Sequence, residues 1–317
     1  MSKRVPTLAI VVPCYYEEEV LPETYKQLSL LHKSLVSSGK IKEDSFILFV
    51  DDGSLDNTWN LIKEFANKSN FIHGIKLSKN EGHQNALLAG MKYVHNKCDC
   101  VVSIDADLQQ DINAIEDMLQ KYQEGFDIVL GIRTDRDSDS FFKKFTAESF
   151  YKLMQIMGVD IEKNHADYRL MSSKALGFFL QFREKNLFIR AMVKQVGLKT
   201  TKVYFKTVDR FAGESKYTLK KMLSFALNGI TSFSVFPLRL ITISGFVIFF
   251  FSIIASVDAL YTALFTNDAV PGWASTVLPM YFLGGVELLA IGILGEYIGK
   301  IYTEIKDRPL YFIEDEV

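Results

Sequence analysis

The sequence predicts an α/β protein. A mostly parallel sheet with helices on both faces is followed by a juxtamembrane amphipathic helix and two transmembrane helices. Three observations carry this prediction. Short apolar, β-branched runs alternate with stretches of helical periodicity from Thr7 to Leu130. Three of those runs end abruptly in polar clusters. Two long apolar segments near the C-terminus share a stretch, Leu240 to Gly299, with no Lys or Arg.

The elements follow in order. Thr7 to Val12 reads as a strand that Pro13 stops. After Glu17-Glu18-Glu19, the spacing of Leu21, Tyr25, Leu28 and Leu31 predicts a helix. Phe46 to Val50 is a second buried strand, ending in Asp51-Asp52-Gly53-Ser54, and Asn57 to Phe65 is a helix. Ile72 to Leu77 is a third strand and Asn85 to His95 a helix. Cys100 to Ile104 is a strand ending in Asp105-Ala106-Asp107. A helix over Asn113 to Tyr122 and a strand over Asp127 to Leu130 complete the alternation.

Composition narrows the function classes. At 317 residues and 48% hydrophobic, the chain can build one large domain with an appendage. A net charge of −2 provides no global basic field, so nucleic acid is not an expected partner. Cys14, Cys98 and Cys100 are odd in number and lack metal-ligand spacing, which fits reduced thiols. Met1-Ser2-Lys3-Arg4 runs straight into a strand, without the apolar core of a secretory leader.

In an open parallel sheet, ligands sit at the carboxyl ends of the strands. Asp105 and Asp107, one residue apart, are placed there. Such a pair either shares one Mg²⁺ or Mn²⁺ or marks a strand end followed by a helix cap. Neither a G-x-G-x-x-G turn nor a Walker loop is present to cradle phosphate, so a metal held by carboxylates is the alternative. Among the five histidines there is no H-E-x-x-H pattern or nucleophile pairing, and His83 is expected to cap a helix in preference to touching substrate.

Ordered motifs extend over nearly the whole chain. They include Val11-Val12-Pro13-Cys14-Tyr15-Tyr16-Glu17-Glu18, Asp51-Asp52-Gly53-Ser54, Asp105-Ala106-Asp107-Leu108-Gln109, Gly131-Ile132-Arg133, Asp167-Tyr168-Arg169-Leu170 and Arg210-Phe211-Ala212-Gly213-Glu214-Ser215-Lys216. In these the chain resembles the GT-A glycosyltransferases of family 2. More narrowly, it resembles the polyprenyl-phosphate (bactoprenol) glycosyltransferases related to dolichyl-phosphate mannose synthase. The resemblance implies a Rossmann-like GT-A domain. Pro13, Tyr15, Glu17, Asp51, Asp52 and Ala106 would line the nucleotide-sugar pocket. Asp105, Asp107 and Gln109 would hold Mg²⁺ or Mn²⁺. Arg133, Arg210 and Lys216 would meet the diphosphate or the acceptor phosphate, where guanidinium forks suit phosphate oxygens. Asp107 and Asp167 are the implied catalytic carboxylates. Around Asp167 this chain has Ala166 and Tyr168 where the family commonly has Gly and Phe. An ion pair with Arg169 is the structural alternative for Asp167. An acceptor phosphate with a second pKa near ~6 needs no strong base.

The implied organisation is a cytoplasmic catalytic domain over 1–215, juxtamembrane helices over 216–237, spans near 238–264 and 274–298, and a cytoplasmic tail over 301–317. Lys216, Lys220, Lys221 and Arg239 precede the first span, and Lys300, Lys306 and Arg308 follow the second. The positive-inside rule puts both termini in the cytoplasm and the protein in the inner (cytoplasmic) membrane, as a multi-pass enzyme. Glu287 is costly in lipid and is expected to face protein or be protonated. The expected reaction moves a monosaccharide, glucose first, from a UDP-sugar to undecaprenyl or another polyprenyl phosphate with inversion. Expected partners are the membrane, a second copy of the chain through the span glycines, and a downstream flippase or second transferase. A polysaccharide-elongating synthase is the alternative enzyme, although no Gln-x-x-Arg-Trp string is present. A non-catalytic sugar-nucleotide-binding subunit is the alternative from another class.

Overall fold

The computed structural model describes residues 5–134, 162, 164–185, 188–207, 236–265 and 273–317. The chain divides into two compact units. One comprises Met1–Gln155, Asp160–Thr218 and Arg308–Val317, and the other Ile156–Val159 and Leu219–Asp307.

The first unit is built on one sheet. Its strands are β1 (Leu8–Cys14), β2 (Phe46–Asp51), β3 (Ile72–Leu77), β4 (Cys100–Ser103), β5 (Ile128–Arg133), β6 (His165–Ser172), β7 (Thr200–Phe205) and β8 (Ile313–Glu316). Their order is β7-β5-β6-β4-β1-β2-β3-β8. The helices are α1 (Leu21–Ser37), α2 (Thr58–Lys68), α3 (His83–Val94), α4 (Ala114–Gln123), α5 (Ser173–Phe179) and α6 (Ile189–Gln195). Strands β4, β1, β2 and β3 are parallel, in keeping with the near-continuous apolar sequences of β1, β2 and β4. The chain goes from β1 to β2 on one side and reaches β4 on the other, so strand order reverses at β1. The crevice between the ends of β1 and β4 is where such sheets bind ligands.

One expectation needs correction. Pro13 does not stop β1, because it pairs in register with Val50. The Val11 carbonyl accepts the Ile104 N–H, whereas the Cys14 carbonyl accepts the Asp52 N–H on the opposite side. Alternation therefore turns the Pro13 nitrogen toward β4, whose pairing with β1 ends at Ser103, and no donor is needed there. The sheet is mostly parallel, as expected, with antiparallel pairings added. β6 runs antiparallel to both β4 and β5. That direction brings the first residues of β6 to the carboxyl end of β4.

Packing explains which runs became central strands. β1 and β2 are buried along their whole length. α1 buries Leu21, Leu28 and Leu35, and α2 buries Trp59, Ile62 and Phe65, with Tyr25 stacked on Phe65 at 4.2 Å. α3 lies so close to the sheet that a Cβ at Gly90 would stand 2.4 Å from Val11 Cγ1 and 2.8 Å from Val50 Cγ2. At the C-terminus, β8 adds antiparallel to β3. Asp315 accepts the Trp59 indole N–H at 3.1 Å and pairs with Lys63 at 2.7 Å. The last residues thus cover a sheet edge that would otherwise be open.

The second unit holds α7 (Phe236–Phe265) and α8 (Trp273–Ile305). Within α8, Phe282–Ile305 has mean hydropathy 1.5 and no buried share, and is long and apolar enough to cross a membrane. Among the described residues, this is the one segment that meets both criteria, although two spans were expected. Glu287 is exposed on α8. A Cβ at Gly284, Gly285, Gly292, Gly295 or Gly299 would meet nothing within 4 Å. Most of the expected juxtamembrane stretch lies outside the described residues.

Candidate active site

The turn after β4 is held from both sides. The Asp105 N–H donates to Gln110 Oε1 at 3.1 Å, and Gln110 Nε2 donates to Asp105 Oδ2 at 2.6 Å. Gln110 is buried, and the clasp it makes is partly buried. Thr24 of α1 donates its hydroxyl to the Ala106 carbonyl at 2.7 Å. Leu108 takes a left-handed φ of 56°, which turns the chain so that the Gln109 N–H reaches Asp107 Oδ1 at 3.1 Å. Asp105 Oδ1 is left buried with no hydrogen-bond partner among the described residues. Burial pushes the Asp105 carboxyl up to about 6, with His83 opposing and Asp167 and Asp107 adding to the rise.

The β1 and β2 ends form the neighbouring wall. Asp51 is fully buried. One of its oxygens accepts the Ser54 N–H at 3.1 Å, while Oδ2 has no hydrogen-bond partner among the described residues. Burial raises its pKa. The Ser54 hydroxyl accepts the Tyr16 N–H at 3.1 Å, and Thr58 Oγ1 accepts that of Glu17. These bonds tie the Pro13–Glu17 loop to the β2 turn. Tyr15 and Tyr16 meet edge to face at 4.4 Å. Asp52, expected in the nucleotide pocket, spends both oxygens on backbone donors. It accepts the Glu81 N–H at 2.8 Å and the Gly82 N–H at 3.0 Å, which fixes the entry to α3. Gly53 makes this possible, since a Cβ there would lie 2.4 Å from the Lys79 carbonyl carbon.

The third wall comes from β6. Ser103 pairs with Arg169, so the antiparallel register places Asp167 beside Asp105. Asp167 Oδ1 accepts Arg169 Nη2 at 2.5 Å, and Oδ2 accepts Arg190 Nη2 at 2.8 Å. Burial opposes this charge, but Arg190 and Arg169 outweigh it and hold the carboxyl well below the usual range. His83 does not cap α3, whose cap position is Gly82. Its Nε2 instead stands 3.6 Å from Asp105 Oδ1 and 3.8 Å from Asp167 Oδ2. Arg133 ends β5 at the same edge, its N–H bonded to the Asn164 carbonyl at 3.1 Å.

The fold thus brings Pro13, Tyr15, Glu17, Asp51, Ala106, Asp105, Asp107, Gln109, Arg133 and Asp167 to one edge. Arg210 and Lys216 lie outside the described residues. Gln110, Arg190 and the role of His83 were missed. Gln110 differs from Gln109 only in which way the turn points it. Arg190 carries no local signal, since its partner is reached only through the packing of α6 on β6. Among the described residues, no group of three or more His, Cys, Asp or Glu stands ready for a metal. Two carboxylates suffice where substrate phosphates complete the coordination.

Comparison with known proteins identifies the family. The family described as Glycosyl transferase family 2 matches residues 9–188. An uncharacterized glycosyltransferase of Bacillus subtilis is 50% identical over 99% of this chain and 93% of its own. A prophage bactoprenol glucosyl transferase homolog of Escherichia coli is 37% identical over 97% of this chain and 98% of its own. The bactoprenol glucosyl transferase of SfII prophage in Shigella flexneri is 38% identical over 97% of both chains. With a strand-end carboxylate pair, a mixed α/β sheet and relatives matched over nearly their full length, the chain belongs to glycosyl transferase family 2, in the group that includes the bactoprenol glucosyl transferases.

Proposed function

We propose that this chain is a membrane glycosyltransferase that moves glucose from UDP-glucose to a polyprenyl phosphate, with inversion at the anomeric carbon. The observation that carries this reading is the convergence of Asp51, Asp105, Asp107 and Asp167 on the edge where β1, β2, β4 and β6 meet. The names of the relatives support glucose and a bactoprenol acceptor.

The donor's parts fit the walls. Asp51 Oδ2, buried without a partner among the described residues, suits a base N–H, and the Tyr15 ring offers it an aromatic surface. Asp105 and Asp107 fit Mg²⁺ or Mn²⁺, because Asp105 Oδ1 is a hard, buried oxygen lacking a hydrogen bond among the described residues. Such a cation would offset the charge gathering on the departing diphosphate. Arg133, Arg210 and Lys216 would meet phosphate oxygens on either substrate. The chain's main contribution is to position two anionic partners and exclude water between them.

Membrane attachment is supported by Phe282–Ile305 and by the charge distribution around 240–299. The chain leaves the sheet after β7 and rejoins it at β8. Any crossing by the intervening 219–307 is therefore made an even number of times. This supports two spans, with both termini on the side of the catalytic unit, the cytoplasm.

The test supplies purified full-length protein in detergent with UDP-glucose, undecaprenyl phosphate and Mn²⁺ or Mg²⁺. A lipid-linked hexose is expected by mass spectrometry. No lipid product with any of a panel of nucleotide sugars would sink the reading. A longer glycan in place of a monosaccharide product would favour an elongating synthase.

A further inference from the structure

We propose that Arg190, held in place by Asp167, binds the phosphate of the acceptor, and that Asp167 is a positioning residue and not a base. This rests on the acceptor class proposed above. Among the described residues, Arg169, Asp167 and Arg190 form the group, and exposure distinguishes them. Arg169 is fully enclosed, Asp167 is 15% exposed and Arg190 is 37% exposed. Arg190 is thus the most solvent-exposed member of the three. Its fork grips Asp167 through Nη2 at 2.8 Å and through Nε at 3.3 Å from each oxygen. That grip fixes the plane of the guanidinium, the condition under which arginine binds phosphate with directional bonds.

The position also suits the reaction. From Asp105 the polar atoms run through His83 Nε2, at 3.6 Å, to Asp167 at 3.8 Å and then to Arg190. Donor diphosphate at Asp105 and Asp107 and acceptor phosphate at Arg190 would lie at the two ends of this row, with the sugar between them. Inversion requires such an arrangement, with nucleophile and leaving group on opposite faces of the anomeric carbon.

Asp167 is a poor base on geometric grounds, since each of its oxygens already accepts a guanidinium N–H. Those guanidiniums also hold its proton affinity well below the ordinary range, and burial does not reverse this. A general base works best with a pKa near the operating pH. The chemistry asks for none. With a second pKa of ~6, the acceptor is a phosphomonoester dianion at neutral pH. Its oxygen forms the bond to the anomeric carbon as the bond to the diphosphate oxygen breaks. The acceptor becomes a phosphodiester monoanion, the lost charge appears on the released UDP, and no proton changes hands.

The experiment measures steady-state transfer by full-length protein, varying undecaprenyl phosphate and UDP-glucose separately. The variants are Arg190→Gln, Arg190→Lys and Asp167→Asn, and UDP binding by calorimetry reports an intact donor site in each. Loss of one charge-assisted phosphate contact predicts that Arg190→Gln raises the acceptor KM about 10–100-fold, with the donor KM within about twofold. Arg190→Lys should recover part of that loss. Asp167→Asn should also raise the acceptor KM, with kcat at saturating acceptor within about tenfold of wild type. An unchanged acceptor KM in Arg190→Gln overturns the proposal. So does Asp167→Asn losing about a thousandfold in kcat at unchanged acceptor KM, the signature of a lost base. If Arg190→Gln fails to bind UDP, Arg190→Lys decides, because it keeps the charge opposite Asp167. Wild type that binds UDP but glucosylates no polyprenyl phosphate would refute the acceptor class. Normal wild-type transfer with normal acceptor KM in the variants refutes only the role of Arg190.

Discussion

Gln110→Ala tests how the carboxylate turn is built. The side chain makes two partly buried contacts to one residue, accepting the Asp105 N–H at 3.1 Å and donating to Asp105 Oδ2 at 2.6 Å. The first is a neutral bond worth about 1 kcal/mol, and the second, to a carboxylate, about 1.5–3 kcal/mol. Truncation therefore removes about 2.5–4 kcal/mol, which lowers Tm on the order of 5–15 °C for a unit of this size. The loss is survivable against a typical stability of about 5–15 kcal/mol. With Asp105 no longer held, affinity for a divalent cation should fall about 10–100-fold, as when outer partners of metal ligands are removed. The assay is a Mn²⁺ titration of the UDP-bound protein by electron paramagnetic resonance, with thermal unfolding on the same sample. Gln110→Asn, too short to span both contacts, should behave like the alanine variant. A Gln110→Ala protein that binds Mn²⁺ as wild type does would refute the claim that this amide aims Asp105.

Three further outcomes follow from other parts of the fold. His165 is buried, and burial with Arg169 nearby holds its ring well below the ordinary imidazole value, hence neutral. The unfolded chain takes up a proton below about 6.5 that the fold refuses, so stability present above that pH falls by about 1.4 kcal/mol per unit beneath it. His165→Leu should flatten urea-unfolding stability over that window, and an unchanged slope would contradict it. Because Asp105 protonates near about 6, Mn²⁺ affinity should fall about tenfold per pH unit below that value, while Asp105→Ala and Asp107→Ala abolish transfer in protein that still inserts and folds. Wild-type turnover in both variants would refute the metal assignment. Gly53→Ala faces both a φ of +68° and the Lys79 backbone at 2.4 Å, so it should lose at least about 2 kcal/mol in urea unfolding. A loss under about 0.5 kcal/mol would show that the turn relaxes freely.

How legible each element was depends on what surrounds it. β1, β2 and β4 are buried along their length, so burial selects uninterrupted apolar residues and leaves a clear sequence signal. β6 was missed because His165, Asp167 and Arg169 look like a polar loop. They form a strand because the alternate residues Ala166, Tyr168 and Leu170 join the core, while Asp167 is neutralised by Arg169 and by Arg190 of α6. β8, Ile-Glu-Asp-Glu, has no apolar signal, and it pairs because β3 presents an open edge. Asp105 and Asp107 were legible from their position after a strand. Gln110 and Arg190 were not, because the first depends on the left-handed turn at Leu108 and the second on a contact between elements.

The sequence alone determined the parallel half of the sheet, the carboxylate pair at its edge, the family resemblance and the apolar C-terminal region. Those features are local, since periodicity, strand-end polarity and charge depletion act over a few residues or along one segment. Tertiary structure decided that β6 runs antiparallel, and with that direction Asp167 came to face Asp105. It decided that Asp52 serves the backbone of α3, that His83 stands between two carboxylates, and that Asp167 carries two guanidiniums. Each of these depends on side chains from separate strands and helices meeting in one low-dielectric space, where an unpaired charge is costly and the available partner sets its role.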